Sequence, residues 1–336
     1  MEKIAFISGG IFIYWSSIIL TLAALTAIAI FAAMYVGKSG DVAGASVTIP
    51  VAMVGSIVLS RLIHWYCRSD AYESMNAALT DYSKGGYALM GVFIACILVA
   101  AVLRLFRVVK NLPQMYDSMA IGGGFGIVVG RLASLFNSSD RGMALADNVA
   151  FPFAFPVTNT VSGVVENRLA TFMIQAGVVA VIVALLLIYM FISKIAKHKI
   201  ADGDIFLIFM LAYGASQIIC DSTRYDSLFL RSNGFISVVQ ILGLVAMVVP
   251  IIIFSVRMVK NMGIKWYHFV SWVLILAMMG VAGYMEYYVQ RHGNEAAFAY
   301  SLMALGLVVA VLVALIVRAM GNHAARKKAK AEAANV

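Results

Sequence analysis

Residues 121–142 read IGGGFGIVVGRLASLFNSSDRG, and this stretch decides what kind of molecule the chain is. From Ile121 onward, Gly122, Gly123, Gly124, Gly126 and Gly130 space an apolar run that carries a single arginine, Arg131, and then enters a polar turn ending at Gly142. Glycine lets helix backbones approach closely inside a bilayer, so the segment is expected at the centre of a helix bundle. An arginine at the end of such a helix has two readings. Its long stem can snorkel to the interface and anchor the helix. Alternatively, its planar guanidinium can grip an anionic lipid headgroup through two parallel hydrogen bonds. The stretch alone leaves both open.

Working outward, 62% of residues are hydrophobic and only 12% charged, with a mean hydropathy of +0.93. A soluble domain is typically about 45–50% apolar, so the expected class is an all-α polytopic membrane protein. A hydrocarbon core about 30 Å thick needs roughly 20 apolar residues per helix. By that length about nine spans are expected: Ile11 to Val36, Val47 to Tyr66, Tyr87 to Phe106, Met115 to Phe136, Leu169 to Ile192, Ile205 to Cys220, Phe235 to Val256, Trp266 to Tyr288 and Ala297 to Val317. The first of these is too long for the apolar core of a secretory leader and is kept as a membrane helix.

The formal net charge of +9 is topology here, not a nucleic-acid footprint, because the Lys and Arg residues sit in short segments between apolar runs. Arg107 and Lys110, then Lys194, Lys197 and Lys199, then Arg257, Lys260 and Lys265, and finally Arg318 to Lys330 follow the odd-numbered spans. The positive-inside rule then puts the N-terminus outside and the C-terminus in the cytoplasm. The outward loops are 67–86, 137–168, 221–234 and 291–295. The longest, 137–168, carries Phe151, Pro152, Phe153, Phe155 and Pro156, which is apolar enough to lie on the outer leaflet. Cys67, Cys96 and Cys220 form no C-x-x-C pair, and no histidine has a partner at metal-ligand spacing. No metal and no cofactor are assigned.

Polar groups gather at the outward ends of three spans. Arg61 and His64 are one turn apart, and Tyr213, Gln217, Asp221 and Arg224 fall on one stripe. Arg131, Asn137, Asp140, Arg141 and Gly142 close the fourth span. Ionisable residues in a membrane are expensive and mark functional candidates, though His64 beside Trp65 and Tyr66, and Glu286 among tyrosines, also suit an interfacial aromatic belt. Because these groups collect at one leaflet and line no path across the bilayer, a channel or transporter is disfavoured.

Together these residues resemble the prolipoprotein diacylglyceryl transferases. The family pattern G-R-x-x-N-F-x-N-G-E-x-x-G falls on residues 130–142, where Gly130, Arg131, Asn137 and Gly142 match, Ser134 replaces the first asparagine, and Ser139 takes the place of the glutamate with Asp140 beside it. The pattern Y-G-x-x-R-F-x-x-E-x-x-R falls on residues 213–224: Tyr213, Gly214 and Arg224 match, Asp221 is a shortened glutamate and Gln217 replaces an arginine. Ser60, Arg61 and Leu62 resemble the A-R-L segment, Gln240 and Leu242 the G-Q-x-L-S segment. Gly85, Gly86 and Gly91 resemble a glycine-rich segment whose histidine falls on Met90.

The resemblance implies a seven-helix core over residues 1–260 containing the outward loop 137–168. It leaves an additional helix pair over 261–320 and a basic cytoplasmic tail over 321–336. It also implies an enzyme of the bacterial cell membrane that moves diacylglycerol from phosphatidylglycerol to the lipobox cysteine of a prelipoprotein signal peptide. Arg131 is then the expected phosphate clamp, with Arg61 and Arg224 as second donors and Asn137, Gly142, Tyr213 and Gln217 beside the phospholipid. The base that takes the thiol proton has no methionine substitute, so His64 and Asp221 are the candidates. The alternative is a catalytically inactive phospholipid-binding relative acting in lipoprotein handling or envelope assembly.

Overall fold

The computed structural model describes residues 3–81, 86–137, 139–145, 149, 151–158, 163–230, 236–292 and 295–334. Gly85 and Ser138, both at positions quoted for the resemblance, lie outside the described residues. The described residues are mainly helical, with strands β1 (Ile4–Ser8) and β2 (Ile11–Tyr14) before α1 (Trp15–Ser39), α2 (Val42–Cys67), α3 (Met75–Thr80), α4 (Leu89–Leu105) and α5 (Leu112–Arg131). A second hairpin, β3 (Ala154–Thr158) and β4 (Val165–Leu169), precedes α6 (Thr171–Ile195), α7 (Asp204–Ser222), α8 (Val238–Met262), α9 (Trp266–His292) and α10 (Ala296–Ala334). Eight of these helices are long and apolar enough to cross a membrane, and the 17-residue α4 sits at the third expected span. The protein is therefore an all-α, multi-pass membrane protein.

The first span begins later than its hydropathy indicates. Ile4, Phe6 and Ile7 face Ile11 to Tyr14 across an antiparallel hairpin, whose two-residue turn is Gly9 and Gly10 at φ 57° and 82°. Two consecutive positive φ values match the twist of paired strands and are cheap only for residues such as glycine, so the aromatic and β-branched residues on either side pair as strands, and the helix starts at Trp15. The fifth span likewise starts at Thr171 and not Leu169, because Val165–Leu169 pairs with Ala154–Thr158. At the other end of the chain, α10 runs unbroken for 39 residues into the basic segment.

Two compact units divide the chain: Met1–Phe209 with Thr223–Ile241, and Met210–Ser222 with Leu242–Val336. In the first unit α5 packs against α1, α4 and α6. Its glycines make this possible: a Cβ on Gly122 would stand 2.6 Å from the Ala27 oxygen, and one on Gly126 would stand 2.8 Å from the Ala27 Cβ. Asp41 joins the ends of three elements by accepting from the Tyr35 hydroxyl at 2.7 Å, the Gly44 N–H at 3.1 Å and the Lys110 N–H at 3.2 Å. Burial would raise its carboxyl, but these donors hold it below the usual carboxylate range. Asp117 on α5 caps the start of α7, accepting from the N–H groups of Gly203 at 2.8 Å and Phe206 at 2.9 Å.

In the second unit α9 and α10 pack on each other, with a Gly306 Cβ position 2.9 Å from the Met278 oxygen. The pair is tied to its neighbours by hydrogen bonds from the Tyr300 hydroxyl to the Ser222 oxygen at 3.1 Å, from Asn261 Nδ2 to the Gly321 oxygen at 3.1 Å and from Trp272 Nε1 to Ser255 Oγ at 3.0 Å.

Candidate functional site

Arg131 ends α5, and a 3-10 turn over Leu132–Leu135 continues from it. At Asn137 the chain reverses: Asn137 Oδ1 accepts from the Ser139 N–H at 3.0 Å and from Ser139 Oγ at 2.6 Å, an Asx turn. Asp140 follows at φ 57°, a left-handed conformation that Asp tolerates better than most residues. This reversal brings the Asp140 carboxylate back onto Arg131.

The result is a charge cluster within the first unit. Asp140 Oδ1 accepts from Arg131 Nη1 at 2.9 Å and from Arg224 Nη1 at 2.9 Å, while Oδ2 accepts from Ser134 Oγ at 2.8 Å. Asp226 completes it, taking Arg224 Nε on Oδ1 at 2.9 Å and the Asp140 N–H on Oδ2 at 2.9 Å. The Arg131, Asp140 and Arg224 side chains are only 11%, 13% and 14% exposed. Burial would raise the Asp140 carboxyl, yet the Arg131 and Arg224 guanidiniums outweigh it and pull the pKa down to about 2. Arg131 Nε is buried and has no hydrogen-bond partner among the described residues.

Backbone pairing fixes these side chains. Gly142 and Arg224 form an antiparallel bridge, the Tyr225 N–H donates to the Arg141 oxygen at 3.1 Å, the Gly142 N–H to the Leu169 oxygen at 2.8 Å, and the Phe172 N–H to the Asp140 oxygen at 3.2 Å. Gly142 is where three strands of chain meet: an added Cβ would lie 2.7 Å from Thr171 Oγ1 and 2.8 Å from both the Leu169 Cβ and the Thr223 oxygen. Arg141 clips the turn from beneath. It lies between the rings of Phe155 and Phe172, 4.4 Å from each centroid, and its Nη2 donates to the Ser134 and Asn137 oxygens at 2.5 and 2.9 Å. Burial pulls its pKa below the ordinary arginine range, with Asp140 opposing.

The sequence candidates fall into three places. Arg131, Asn137, Gly142 and Arg224 come together as just described. Arg61, 1% exposed, belongs to a second cluster, where its Nε, Nη1 and Nη2 donate to the oxygens of Ala78 at 2.7 Å, Gly86 at 3.3 Å and Asp81 at 2.5 Å. Its guanidinium also lies over Tyr72 and Tyr87, so this arginine is built into the loop after α2. His64 Nδ1 is 3.0 Å from the Tyr72 hydroxyl in the same cluster. Tyr213, Gln217 and Asp221 are buried on α7 within the second unit.

Met90 is buried in the first turn of α4. Among the described residues no group of three His, Cys, Asp or Glu side chains could hold a metal. Of the two carboxylates at the centre of the cluster, Asp140 was among the polar groups the sequence placed at the end of the fourth span, without a role, and Asp226 was not singled out. The visible signal for the second was its place two residues beyond Arg224.

Comparison with known proteins follows the same residues. The family model described as prolipoprotein diacylglyceryl transferase matches residues 3–256, ending inside α8 and before α9. The chain is similar to the phosphatidylglycerol–prolipoprotein diacylglyceryl transferase of Finegoldia magna, 24% identical over 267 residues that cover 78% of this chain and 99% of that protein. The protein of the same description from Lactococcus lactis subsp. lactis is 26% identical over 212 residues, 63% of this chain and 76% of its own. One from Nostoc is 24% identical over 196 residues, 57% and 68%.

Proposed function

Given that this chain belongs to the prolipoprotein diacylglyceryl transferase family, we propose that it transfers diacylglycerol from phosphatidylglycerol to the lipobox cysteine of a prelipoprotein. The observation that carries this reading is the convergence of Arg131 and Arg224 on one anionic oxygen, each at 2.9 Å. Two guanidiniums around one oxygen position are what a phosphodiester needs when charge develops on its departing group.

In the reaction the cysteine thiol loses its proton to a base and the thiolate attacks the glyceryl carbon. The S–C bond forms as the C–O bond to phosphate breaks, and glycerol phosphate leaves with the electron pair. Arg131 and Arg224 hold the phosphate, and Asn137 and Gly142 shape the turn that presents them; Tyr213 and Gln217, buried on α7, are further phospholipid-binding candidates. Arg61 holds the backbone at Ala78, Asp81 and Gly86. His64 serves as the base in the tautomer whose Nδ1–H donates to the Tyr72 oxygen, leaving Nε2 to accept the thiol proton; Asp221 is the other candidate. The enzyme sits in the bacterial inner membrane, N-terminus outward and C-terminus in the cytoplasm, working at the outer leaflet. The helices α9 and α10, beyond the matched residues, are an addition to a core spanning residues 1–260.

The buried Met90, at the position of the family pattern's histidine, favours a second reading in which lipid is bound and not consumed. Complementation separates the two. Expressed in a bacterium depleted of its own transferase, this chain is expected to prevent prelipoprotein accumulation, and Arg131→Gln to abolish that rescue. Failure of the wild-type chain despite full membrane insertion assigns it to the binding reading. His64→Gln and Asp221→Asn, made separately, identify the base, and full activity in both removes both candidates.

A further inference from the structure

The central carboxylate is in an odd position for a site that must hold an anion. Arg131 and Arg224 each place Nη1 on Asp140 Oδ1, so a carboxylate oxygen already stands where a phosphate oxygen would bind. Asp226 neutralises Arg224 from its other side through Nε. The two arginines and two aspartates of this ion-pair set balance in charge, with Arg141 the further cation beside Asp140, and a phosphate oxygen can take the Nη1 donors of Arg131 and Arg224 only by displacing Asp140 from them.

The backbone around Asp140 is arranged so that its side chain can give way without the turn moving. The Asp140 N–H is held by Asp226 Oδ2 at 2.9 Å, and its oxygen accepts from the Phe172 N–H at 3.2 Å. Arg141 pins the preceding turn at Ser134 and Asn137. What remains free to turn is the bond from Cα to Cβ, and rotation there costs one hydrogen bond from Ser134 Oγ and two ion pairs. The left-handed φ of 57° marks the residue as one whose conformation the surroundings impose.

Resting on the transferase reading above, we propose that Asp140 is a displaceable internal counter-ion: it yields Arg131 and Arg224 to a phosphate oxygen of the lipid, then returns to them and expels glycerol phosphate. The leaving group carries more negative charge than the lipid phosphodiester from which it came. A pair of bare arginines would therefore bind product more tightly than substrate, and a competing carboxylate tied to the same backbone counters that. Burial would raise the Asp140 carboxyl, but the two guanidiniums hold it below the usual carboxylate range, so the competitor is charged in this seat.

The test uses the full-length protein in detergent and in nanodiscs, with Asp140→Asn and Asp140→Gly. Both replacements suit a left-handed backbone, so a shared result is not a folding artefact. Glycerol phosphate and inorganic phosphate are titrated calorimetrically, and phosphatidylglycerol binding is compared with that of phosphatidylcholine. Both variants are expected to bind glycerol phosphate about tenfold more tightly than wild type or better, and to turn over slowly with stronger product inhibition. Unchanged or weaker glycerol phosphate binding in both variants, with phosphatidylglycerol still bound, overturns the counter-ion role and leaves the clamp standing. A gain confined to inorganic phosphate also overturns it. If wild type discriminates neither phosphatidylglycerol from phosphatidylcholine nor binds glycerol phosphate, the clamp reading itself fails and takes this proposal with it.

Discussion

Replacing Arg61 by methionine decides whether this arginine serves the lipid or the loop. Methionine keeps much of the stem's volume and removes the cation. Three backbone oxygens, those of Ala78, Asp81 and Gly86, lose a charged donor. At about 1 kcal/mol net for each, the loss is about 3 kcal/mol, and the faces of Tyr72 and Tyr87, 5.6 and 5.1 Å from the guanidinium carbon, add roughly 1 kcal/mol more. Removing a guanidinium that is 1% exposed also removes its own desolvation cost, so the net expectation is about 3 kcal/mol.

In a unit of this size that corresponds to a fall in Tm of about 6–12 °C. Thermal unfolding of a fluorescently tagged protein in detergent, read by size-exclusion chromatography, measures it. Phosphatidylglycerol binding per folded molecule is expected to stay near wild type. Arg61→Lys, which keeps the charge and loses the planar fork, is expected to lose about half as much. The reasoning is refuted if Arg61→Met leaves Tm unchanged while lipid binding collapses.

Other expectations follow from the same geometry. Gly142→Ala puts a methyl group within 2.8 Å of three neighbours and is expected to cost about 2 kcal/mol and most of the transfer activity, read by unfolding and by prelipoprotein processing. The Asp140 carboxyl is depressed to about 2, so the stability it contributes is fully present above pH 3.8 and is lost as pH falls through about 2. The stability difference between wild type and Asp140→Asn is expected to be about 2 kcal/mol and flat from pH 5 to 8, vanishing only in strong acid; a midpoint near neutrality would contradict the double ion pair. Asp117→Asn leaves one of two N–H groups at the start of α7 without its anionic acceptor and is expected to cost about 1 kcal/mol in unfolding experiments.

The membrane class and most helices were legible because a bilayer imposes a length and hydropathy that few other structures satisfy. The ends were less so. Hydropathy does not distinguish a strand from a helix when both are apolar, and Ile11 to Tyr14 became a strand because Gly9 and Gly10 supply a hairpin turn. The same held for Val165–Leu169. Within the site, Arg131 and Arg224 stood out by residue type and register. Arg61 has the same credentials in sequence, and only the carbonyls around it show that its donors are engaged. Asp140 was visible as a near-match to a glutamate position. That it faces both arginines depends on a left-handed residue after an Asx turn, which residue identities do not specify.

The unbroken course of α10 bears on its basic end. At about 1.5 Å per residue, Lys328 stands about 15 Å beyond Arg318, the first charge after the apolar run. A flexible tail would sweep a hemisphere and fold its lysines back onto anionic headgroups; a helical rod sweeps only a narrow cone. The Debye length at physiological ionic strength is about 8 Å, so an upright rod carries its outermost charges out of reach of the surface potential. Carried on the same helix as the apolar run, these cationic groups keep a fixed axial distance from it, which a flexible tail would not impose.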